Sequence, residues 1–151
     1  MGIEKDINQS HFTGEDQKAV LNIIYTYHWL TEKIKNILSA EEITQQQFNI
    51  LRILRGSDPQ PLSTLTIRER MLDKMSDTSR IVDRLVLKGL VDKKVCPTDK
   101  RLVDVNITRE GKKLLERIDQ KGDEMNSILE LLNKSELRQL NALLDKARGS
   151  A

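Results

Sequence analysis

The sequence predicts a mainly α protein of the α+β class, in which helices surround one short β-hairpin. Apolar residues recur at three- and four-residue spacing through most of the chain, as they do along one side of a helix. Two stretches of alternating β-branched residues, 90–95 and 102–107, flank a polar, turn-prone segment and predict the hairpin. With 38% hydrophobic and only 3% aromatic residues, the composition suits helices packed through Leu and Ile. At 151 residues, the chain is expected to form a single domain over 1–151.

The N-terminal half is predicted to hold a long helix, a second helix and a short third one. The long helix covers 15–38 and carries an apolar stripe that its neighbours alone are too few to cover. The second helix runs from Thr44, its N-cap, to Arg55. The hydroxyl of Ser63 then caps a short helix over 64–71. In this short helix, two apolar residues are expected to face inward and two basic residues outward, namely Leu65 and Ile67, and Arg68 and Arg70.

A polar-faced helix is predicted next, and we place its start near Lys74. Four residues on one side form its core-facing surface, namely Thr78, Ile81, Val82 and Leu85. The opposite side consists of side chains that can hydrogen-bond, namely Ser76, Ser79, Arg80, Asp83 and Arg84. Gly89 is expected to end the helix, because glycine is the usual residue where a chain leaves a helix with positive φ.

The C-terminal part is predicted to form a long helix from Thr108, its N-cap, to about Leu132, with a bend at Gly122, and a last helix capped by Ser135. The apolar stripes of the terminal helices exceed what a monomer can bury. We therefore expect 15–38 and 108–147 to be dimerisation helices. A two-fold homodimer would cover these stripes and set two polar-faced helices on one side of a DNA duplex.

Residues 44–107 follow the order of a winged helix-turn-helix: a short helix, a polar-faced helix and a hairpin with a cationic tip. Such a module lays one helix in the major groove and its wing beside it. Residues 63–109 hold eleven Lys and Arg against seven Asp and Glu, a net charge of +4, whereas the remainder holds fourteen against sixteen, a net charge of −2. This distribution indicates double-stranded DNA as the partner.

Four segments of this module resemble the MarR family of transcriptional regulators in order and spacing. They are SRIVDRL at 79–85, KGLV at 88–91, Asp-Lys-Arg at 99–101 and LVDVNITREG at 102–111. They match the family's recognition helix, strand, wing and wing exit, and the resemblance extends over almost the whole chain. It implies a homodimer formed by the N- and C-terminal helices, a repressor in most members, and a small-molecule effector.

DNA contacts are expected first on the polar-faced helix and around it. Arg80 is expected to bind O6 and N7 of guanine, and Asp77 a cytosine amine. Ser76 and Ser79 are expected to reach a base or a phosphate, and Arg84 a phosphate. Further candidate phosphate contacts surround the helix, namely Ser63, Arg68, Arg70 and Lys74. Each residue alone is as well explained by an ordinary solvated surface; the wing at the right distance favours the functional interpretation.

The wing supplies the remaining candidate contacts. Arg101 and Lys100 also fit an ordinary charged turn. The resemblance implies that Arg101 enters the minor groove, where narrow A/T-rich stretches attract a guanidinium group, and that Asp99 fixes its direction.

Four aromatic residues of the first helix, Tyr25, Tyr27, His28 and Trp29, suggest a pocket for a small anionic effector, which the resembled family binds between its dimerisation helices and its DNA-binding module. Of these, Tyr25, His28 and Trp29 are the candidate contacts. Packing is the stronger alternative, because aromatic residues at helical spacing usually pack. Cys96 is expected to be an inert, half-buried strand residue, since the oxidation-sensing members carry their cysteine in the first helix, where this chain has none. With one cysteine and two distant histidines, no metal site or other cofactor is predicted.

The sequence therefore predicts a homodimeric, sequence-specific DNA-binding regulator, a repressor, that binds a pseudo-palindromic site and responds to a small molecule. The alternative is a winged-helix module for protein-protein interaction, which would not need Arg80 and Arg101 together. No enzyme is predicted, because the sequence offers no Ser/His/Asp order and no Gly-rich phosphate loop. A cytoplasmic location without membrane association is expected, because no apolar run is long enough for a span and residues 1–12 are polar.

Overall fold

Helices and strands follow one another in the predicted order within the residues that the computed structural model describes, 2–99 and 103–150, with Asp123 described by its backbone alone. The elements are α1 (Ile3–Asp6), α2 (Glu15–Ser39), α3 (Gln45–Ser57), β1 (Leu62–Ser63), α4 (Thr64–Arg70), α5 (Thr78–Leu87), β2 (Val91–Val95), β3 (Val103–Ile107), α6 (Arg109–Gln120), α7 (Gly122–Asn126), a 3₁₀ turn (Ser127–Leu129) and α8 (Lys134–Ala147). The predicted mainly α, α+β class is confirmed. Two units make up the chain, Met1–Gln120 and Lys121–Ala151.

Local side-chain caps decide where three helices of the first unit, α3, α4 and α6, begin. Thr44 caps α3 through a capping box, in which its hydroxyl accepts from Gln47 N and the Gln47 side chain accepts from Thr44 N, both at 3.1 Å. Ser63 Oγ accepts from Thr66 N at 3.1 Å and caps α4. Thr108 Oγ1 accepts from Gly111 N at 3.1 Å at the start of α6. The three predicted caps are confirmed.

The sheet has three antiparallel strands in the order β1-β3-β2. β2 and β3 form the predicted hairpin, with Val91 opposite Ile107 and Val95 opposite Val103. The short β1 adds a third strand, with Leu62 opposite Val105. Because alternate residues of a strand point to opposite faces, Val105 and Ile107 are buried while Asp104 and Asn106 are not.

The core of the first unit lies between α3, α5, α6 and the sheet. Its fully buried side chains come from every one of these elements and from α2 and α4 as well, namely Leu38, Ile50, Leu51, Leu54, Ile67, Met71, Val82, Leu85, Val91, Val105 and Leu115. Burying one such side chain stabilises the fold by about 1.5–3 kcal/mol. The core therefore holds α5 firmly by one side and leaves its other side in solvent.

The first turn of α6 packs closely against the end of α5. Thr108 donates its hydroxyl to Gly89 O at 2.7 Å and its N–H to Leu90 O at 3.1 Å. A Cβ at Gly111 would lie only 2.3 Å from Leu90 O, so this close approach requires glycine. Further along, Arg55 of α3 pairs with Asp119 of α6 at 2.6 Å. These contacts fasten α6 to the module that contains α5.

Four details differ from the sequence-based predictions. The helix predicted from Thr108 to Leu132 ends at Gln120, and the chain continues as α7 and the 3₁₀ turn, with the interruption next to the predicted bend at Gly122. Asn133, not Ser135, caps α8, because Asn133 Oδ1 accepts from Glu136 N at 2.9 Å in a capping box. The remaining two concern Leu65 and the start of α5, and both bear on the functional surface.

The second unit, Lys121–Ala151, consists of α7, the 3₁₀ turn and α8. None of the described residues of α8 is buried. Leu131 and Leu143 are exposed apolar residues in this unit. Its own contacts therefore leave the predicted apolar stripe largely uncovered.

Candidate DNA-binding surface

The turn between α4 and α5 is organised by Asp73, and this decides where α5 begins. Asp73 Oδ1 accepts from Met75 N at 2.9 Å, and Asp73 O accepts from the hydroxyl of Ser76 at 2.7 Å. An aspartate that binds the backbone two residues ahead favours a turn over a helix. Hence α5 starts at Thr78, capped by Asp77 through a 3.3 Å bond from Arg80 N, and not near Lys74 as predicted.

This turn changes the role of Ser76. The sequence predicted it on the exposed polar face, but Ser76 lies before the helix, is buried and donates its hydroxyl to Asp73. The predicted exposure is wrong, because the register of the helix was assumed to extend through residues that form the turn. Ser76 holds the turn together.

The outer side of α5 carries the other predicted contacts in one row. Ser79, Arg80, Asp83 and Arg84 are all exposed, whereas Thr78, Ile81, Val82 and Leu85 are buried as predicted. The Arg80 side chain is 72% exposed, with its Nε 3.7 Å from Asp77 Oδ2. Asp83 has a structural role, as predicted, although its partner is Lys93 of β2 at 2.8 Å and not an arginine. Arg80 and Arg84 are therefore presented to solvent on a rigid helix.

Basic residues flank this row on α4 and on the turn. Arg68 and Arg70 are exposed at the end of α4. Lys74 is exposed and its ammonium group donates to Glu69 O. Ser63 is half-buried, and besides capping α4 it donates to Thr66 Oγ1 at 2.9 Å. The three predicted cations are thus all exposed, whereas Ser63 is committed to a local cap.

The wing is described up to Asp99, which is half-buried, and again from Val103. Lys100 and Arg101 lie outside the described residues, so their predicted minor-groove contacts stay predictions. Cys96 follows β2 and is half-buried, as predicted. A hydrogen bond with the Thr98 hydroxyl at 3.2 Å lowers the pKa of the Cys96 thiol. Hydrogen bonds from the backbone N–H groups of Thr98 and Asp99 to the sulfur lower this pKa as well. This stabilisation of the thiolate was not predicted from the sequence.

A groove that the sequence did not predict separates α4 from the start of α5. It measures about 470 Å³ and is lined by polar residues and by two exposed apolar side chains, Leu65 and Met75. Leu65 was predicted to face inward, but it is 65% exposed. In a helix, residues two positions apart lie about 200° apart, so burying Ile67 turns Leu65 outward. The only sequence signal for Met75 was an apolar residue within a polar turn.

A cavity of about 500 Å³ lies between α2, the start of α3 and the α4–α5 turn. Tyr27 of α2 and Asn49 of α3 line it. Asn49 is 4% exposed; its Oδ1 accepts from Leu72 N at 3.0 Å, and its Nδ2 has no hydrogen-bond partner among the described residues. Burying an amide donor without an acceptor costs about 1–3 kcal/mol.

The structure brings only some of the candidate effector residues on α2 to a cavity. His28 lines a second cavity of about 590 Å³, together with residues from the α2–α3 connection. Tyr25 and Trp29 are exposed on α2 outside the linings of both cavities, and Trp29 lies beneath the ammonium group of Lys33 at 5.2 Å. Tyr27, which belongs to the same aromatic group but was not one of the three candidate contacts, borders the first cavity.

Neither a membrane helix nor a metal site is found in the part of the chain that the structure describes. None of its helices combines the length and the apolar character that crossing a bilayer requires. Over 2–99 and 103–150, no three His, Cys, Asp or Glu residues are arranged to hold a metal ion.

A helix-turn-helix whose second helix exposes a row of hydrogen-bonding and cationic side chains, followed by a β-hairpin wing, defines a winged helix-turn-helix protein. The model of the MarR family matches residues 43–103. The transcriptional regulator FarR of Neisseria gonorrhoeae is 30% identical over 133 residues, which cover 86% of this chain and 90% of FarR. The chain belongs to the MarR family of winged-helix transcriptional regulators.

Solved structures with this fold include regulators bound to DNA and to a ligand. A mutant MarR from E. coli complexed with operator DNA has a TM-score of 0.78 and 26% identity, with 91% of this chain and 99% of that chain covered. The PcaV regulator of Streptomyces coelicolor, in complex with its natural ligand, has a TM-score of 0.68 and 26% identity, with 83% and 90% covered. The resemblance inferred from the four sequence segments is confirmed.

Proposed function

We propose that this protein is a homodimeric repressor that binds a pseudo-palindromic DNA site and whose binding is modulated by a small molecule. The observation that carries the proposal is the exposed row of Ser79, Arg80 and Arg84 on α5. The opposite side of this helix packs against the core. The net charge of +4 over 63–109 adds to it, since phosphate neutralisation supplies much of the affinity for DNA. The E. coli relative that was crystallised with operator DNA supports the same conclusion.

The proposed contacts divide into base readers and phosphate binders. Arg80 binds O6 and N7 of guanine and Ser79 the neighbouring base or phosphate, because both lie near the N-terminal end of α5. Asp77 accepts from a cytosine amine with the carboxylate oxygen that the cap leaves available. The proposed phosphate binders are Arg68, Arg70, Lys74 and Arg84. Ser63, the other candidate from the sequence, keeps only its capping role, because its hydroxyl donates to Thr66 Oγ1. Lys100 and Arg101, oriented by Asp99, remain the proposed wing contacts in the minor groove.

The proposed dimer uses the terminal helices. Val20, Ile23, Ile24 and Tyr27 are exposed along one side of α2. Apolar surface of this extent is the mark of an interaction site on a protein that otherwise carries 32% charged residues. We assign 15–38 and 108–147 to dimerisation and 44–107 to DNA binding within one domain.

The proposed effector binds in the cavity beside Tyr27 and Asn49, or in the neighbouring one beside His28. Support comes from the size of the first cavity, about 500 Å³, and from the polar residues that line it. The first cavity also touches Met71, Leu72 and Asp73, the turn that sets the start of α5. A molecule bound there would act on the position of the DNA-reading helix. Tyr25 and Trp29 line neither cavity, so we propose them only as packing residues on the same helix.

We further propose that the protein acts in the cytoplasm and through binding alone, without catalysis. Regulation of transcription requires access to DNA, and the work described above needs no nucleophile or general base. The alternative function, a winged-helix module for protein-protein interaction, gains no specific support, because it would leave the cationic row on α5 without a role.

Selection of bound fragments from a random pool of duplexes tests the proposal. Purified protein should enrich one inverted repeat with half-sites about one helical turn apart, and its affinity should fall steeply with salt. Lys5→Ala removes an exposed positive charge outside both the dimerisation and the DNA-binding segments and should leave the affinity unchanged. Enrichment of no sequence, with all duplexes bound equally weakly, would refute the proposed function.

A further inference from the structure

Two large apolar side chains are exposed beside the N-terminal end of α5. Met75 is 92% exposed in the turn before the helix, and Leu65 is 65% exposed on α4. A single exposed apolar residue needs no explanation. These two, however, come from segments ten residues apart and line the same groove. The fold thus builds an apolar spot into a surface that is otherwise polar and cationic.

The groove around this spot has the composition of a DNA-facing surface. It measures about 470 Å³ and is lined by Thr64, Leu65, Arg68, Met75, Thr78 and Ser79, among others. Arg68 follows Leu65 by three positions and therefore shares its side of α4. Ser79 begins the exposed row that continues with Arg80. Thr78 is 3% exposed, and its hydroxyl has no hydrogen-bond partner among the described residues.

Only one base offers an apolar group at its edge in the major groove, and that base is thymine. Its C5-methyl group projects into the groove beside the O4 acceptor and is read by apolar contact. A helix-turn-helix places the first turn of its recognition helix against base edges. When α5 lies in the major groove, Leu65 and Met75 therefore lie where such a methyl group would be.

We propose that Leu65 and Met75 form a thymine-reading pocket that packs on the C5-methyl group of a thymine next to the base that Arg80 reads. The inference rests on the proposed function and adds a specificity that hydrogen bonds alone do not supply. Arg68 in the lining and Arg80 directly after Ser79 fit a polyanionic occupant and disfavour a purely apolar peptide in the same groove. Asp77, the acidic residue of the lining, is engaged by the cap of α5.

Replacement of thymine by deoxyuridine tests the pocket, because it removes the methyl group and keeps every hydrogen-bonding atom. At one thymine in each half-site of the selected sequence, this change should weaken binding about fourfold per replaced thymine, the equivalent of one buried methyl group. At the other thymines it should have little effect. Fluorescence anisotropy with labelled duplexes gives both values.

Variants then link the effect to the two side chains. The Met75→Ala and Leu65→Ala proteins should bind the thymine and deoxyuridine duplexes with nearly equal affinity. Comparing each variant with the parent protein on the same two duplexes cancels the intrinsic effect of the base on the duplex. Leu87→Ala is the matched control: Leu87 is exposed at the C-terminal end of α5 and does not line this groove, so the fourfold discrimination should persist. Circular dichroism checks that each variant is folded, as expected for exposed positions.

The outcomes separate this inference from the function on which it rests. If no duplex is bound specifically, the proposed function fails and the pocket with it. If a specific site is bound but deoxyuridine is neutral at every position, or if Met75→Ala keeps the full discrimination, the proposed function stands and the thymine-reading pocket is refuted.

Discussion

Replacement of Arg80 by alanine separates sequence reading from charge. Arg80 is 72% exposed, and its nearest acidic atom, Asp77 Oδ2, lies 3.7 Å away. Surface pairs of this kind contribute less than about 1 kcal/mol, so Arg80→Ala should leave the melting temperature nearly unchanged. The Asp77 cap persists, because it uses the backbone N–H of residue 80 and not its side chain. Any loss of DNA binding then reports on contacts to DNA.

The expected loss of binding depends on the duplex. A bidentate arginine–guanine contact discriminates against the wrong base by about 1–3 kcal/mol, so the affinity for the selected site should fall about 5- to 150-fold per half-site. On a duplex that already carries the mismatch, the further loss should be small. Anisotropy titrations with matched, half-site-mismatched and random duplexes at two salt concentrations measure these differences.

Arg84→Ala provides the matched control, because Arg84 is an exposed arginine of the same helix, one turn further along. As a phosphate contact it should weaken binding to all duplexes alike and reduce the salt slope by about 0.9 per contact. Equal losses for Arg80→Ala on every duplex would mean that α5 supplies charge alone, and the assignment of Arg80 as a base reader would have to be given up.

Three other predictions concern packing, assembly and the wing. Gly111→Ala should lower the free energy of unfolding by about 3 kcal/mol, because the added Cβ would lie 2.3 Å from the Leu90 carbonyl oxygen. Gly56→Ala, where a Cβ meets nothing within 4 Å, should instead stabilise by up to about 1 kcal/mol; urea unfolding that reverses this ranking would contradict the close packing. Light scattering at micromolar concentration should give twice the chain mass, and a value of 17.4 kDa would exclude the proposed dimer. Since the bonds around Cys96 favour its thiolate, alkylation of Cys96 should reach half its maximal rate at a lower pH than in a free cysteine peptide, and Thr98→Val should raise that pH; identical midpoints would argue against the hydrogen bonds.

Interactions between near neighbours in sequence made much of the fold predictable. The caps at Thr44, Ser63 and Thr108 join a side chain to an N–H three residues ahead, so the residue types suffice to locate them. The core side of α5 follows from its helical periodicity. By contrast, the start of α5 depends on the turn around Asp73, where two local structures compete and the surrounding packing decides.

The candidate site was predictable only where it lies on one element. Ser79, Arg80 and Arg84 share a helix face, and their common exposure follows from the same periodicity that buries Leu85. The groove between Leu65 and the turn is formed by tertiary packing of α4 on α5, which no local pattern encodes. The Asn49 amide is similar, since its missing partner becomes visible only when the surrounding atoms are in place.

The junction of α5 with α6 makes the two helices one mechanical piece. Thr108 binds both Gly89 and Leu90, and the backbone at Gly111 lies directly against the Leu90 carbonyl, so the joint has no room for a hinge. The twelve residues of α6 form a rod about 18 Å long. Rotating such a rod by about 5° about one end moves the other by about 1.5 Å, half the length of a hydrogen bond. In the proposed dimer, a small tilt of α6 would therefore change the distance between the two DNA-reading helices. The half-site spacing that binds best would then depend on that tilt.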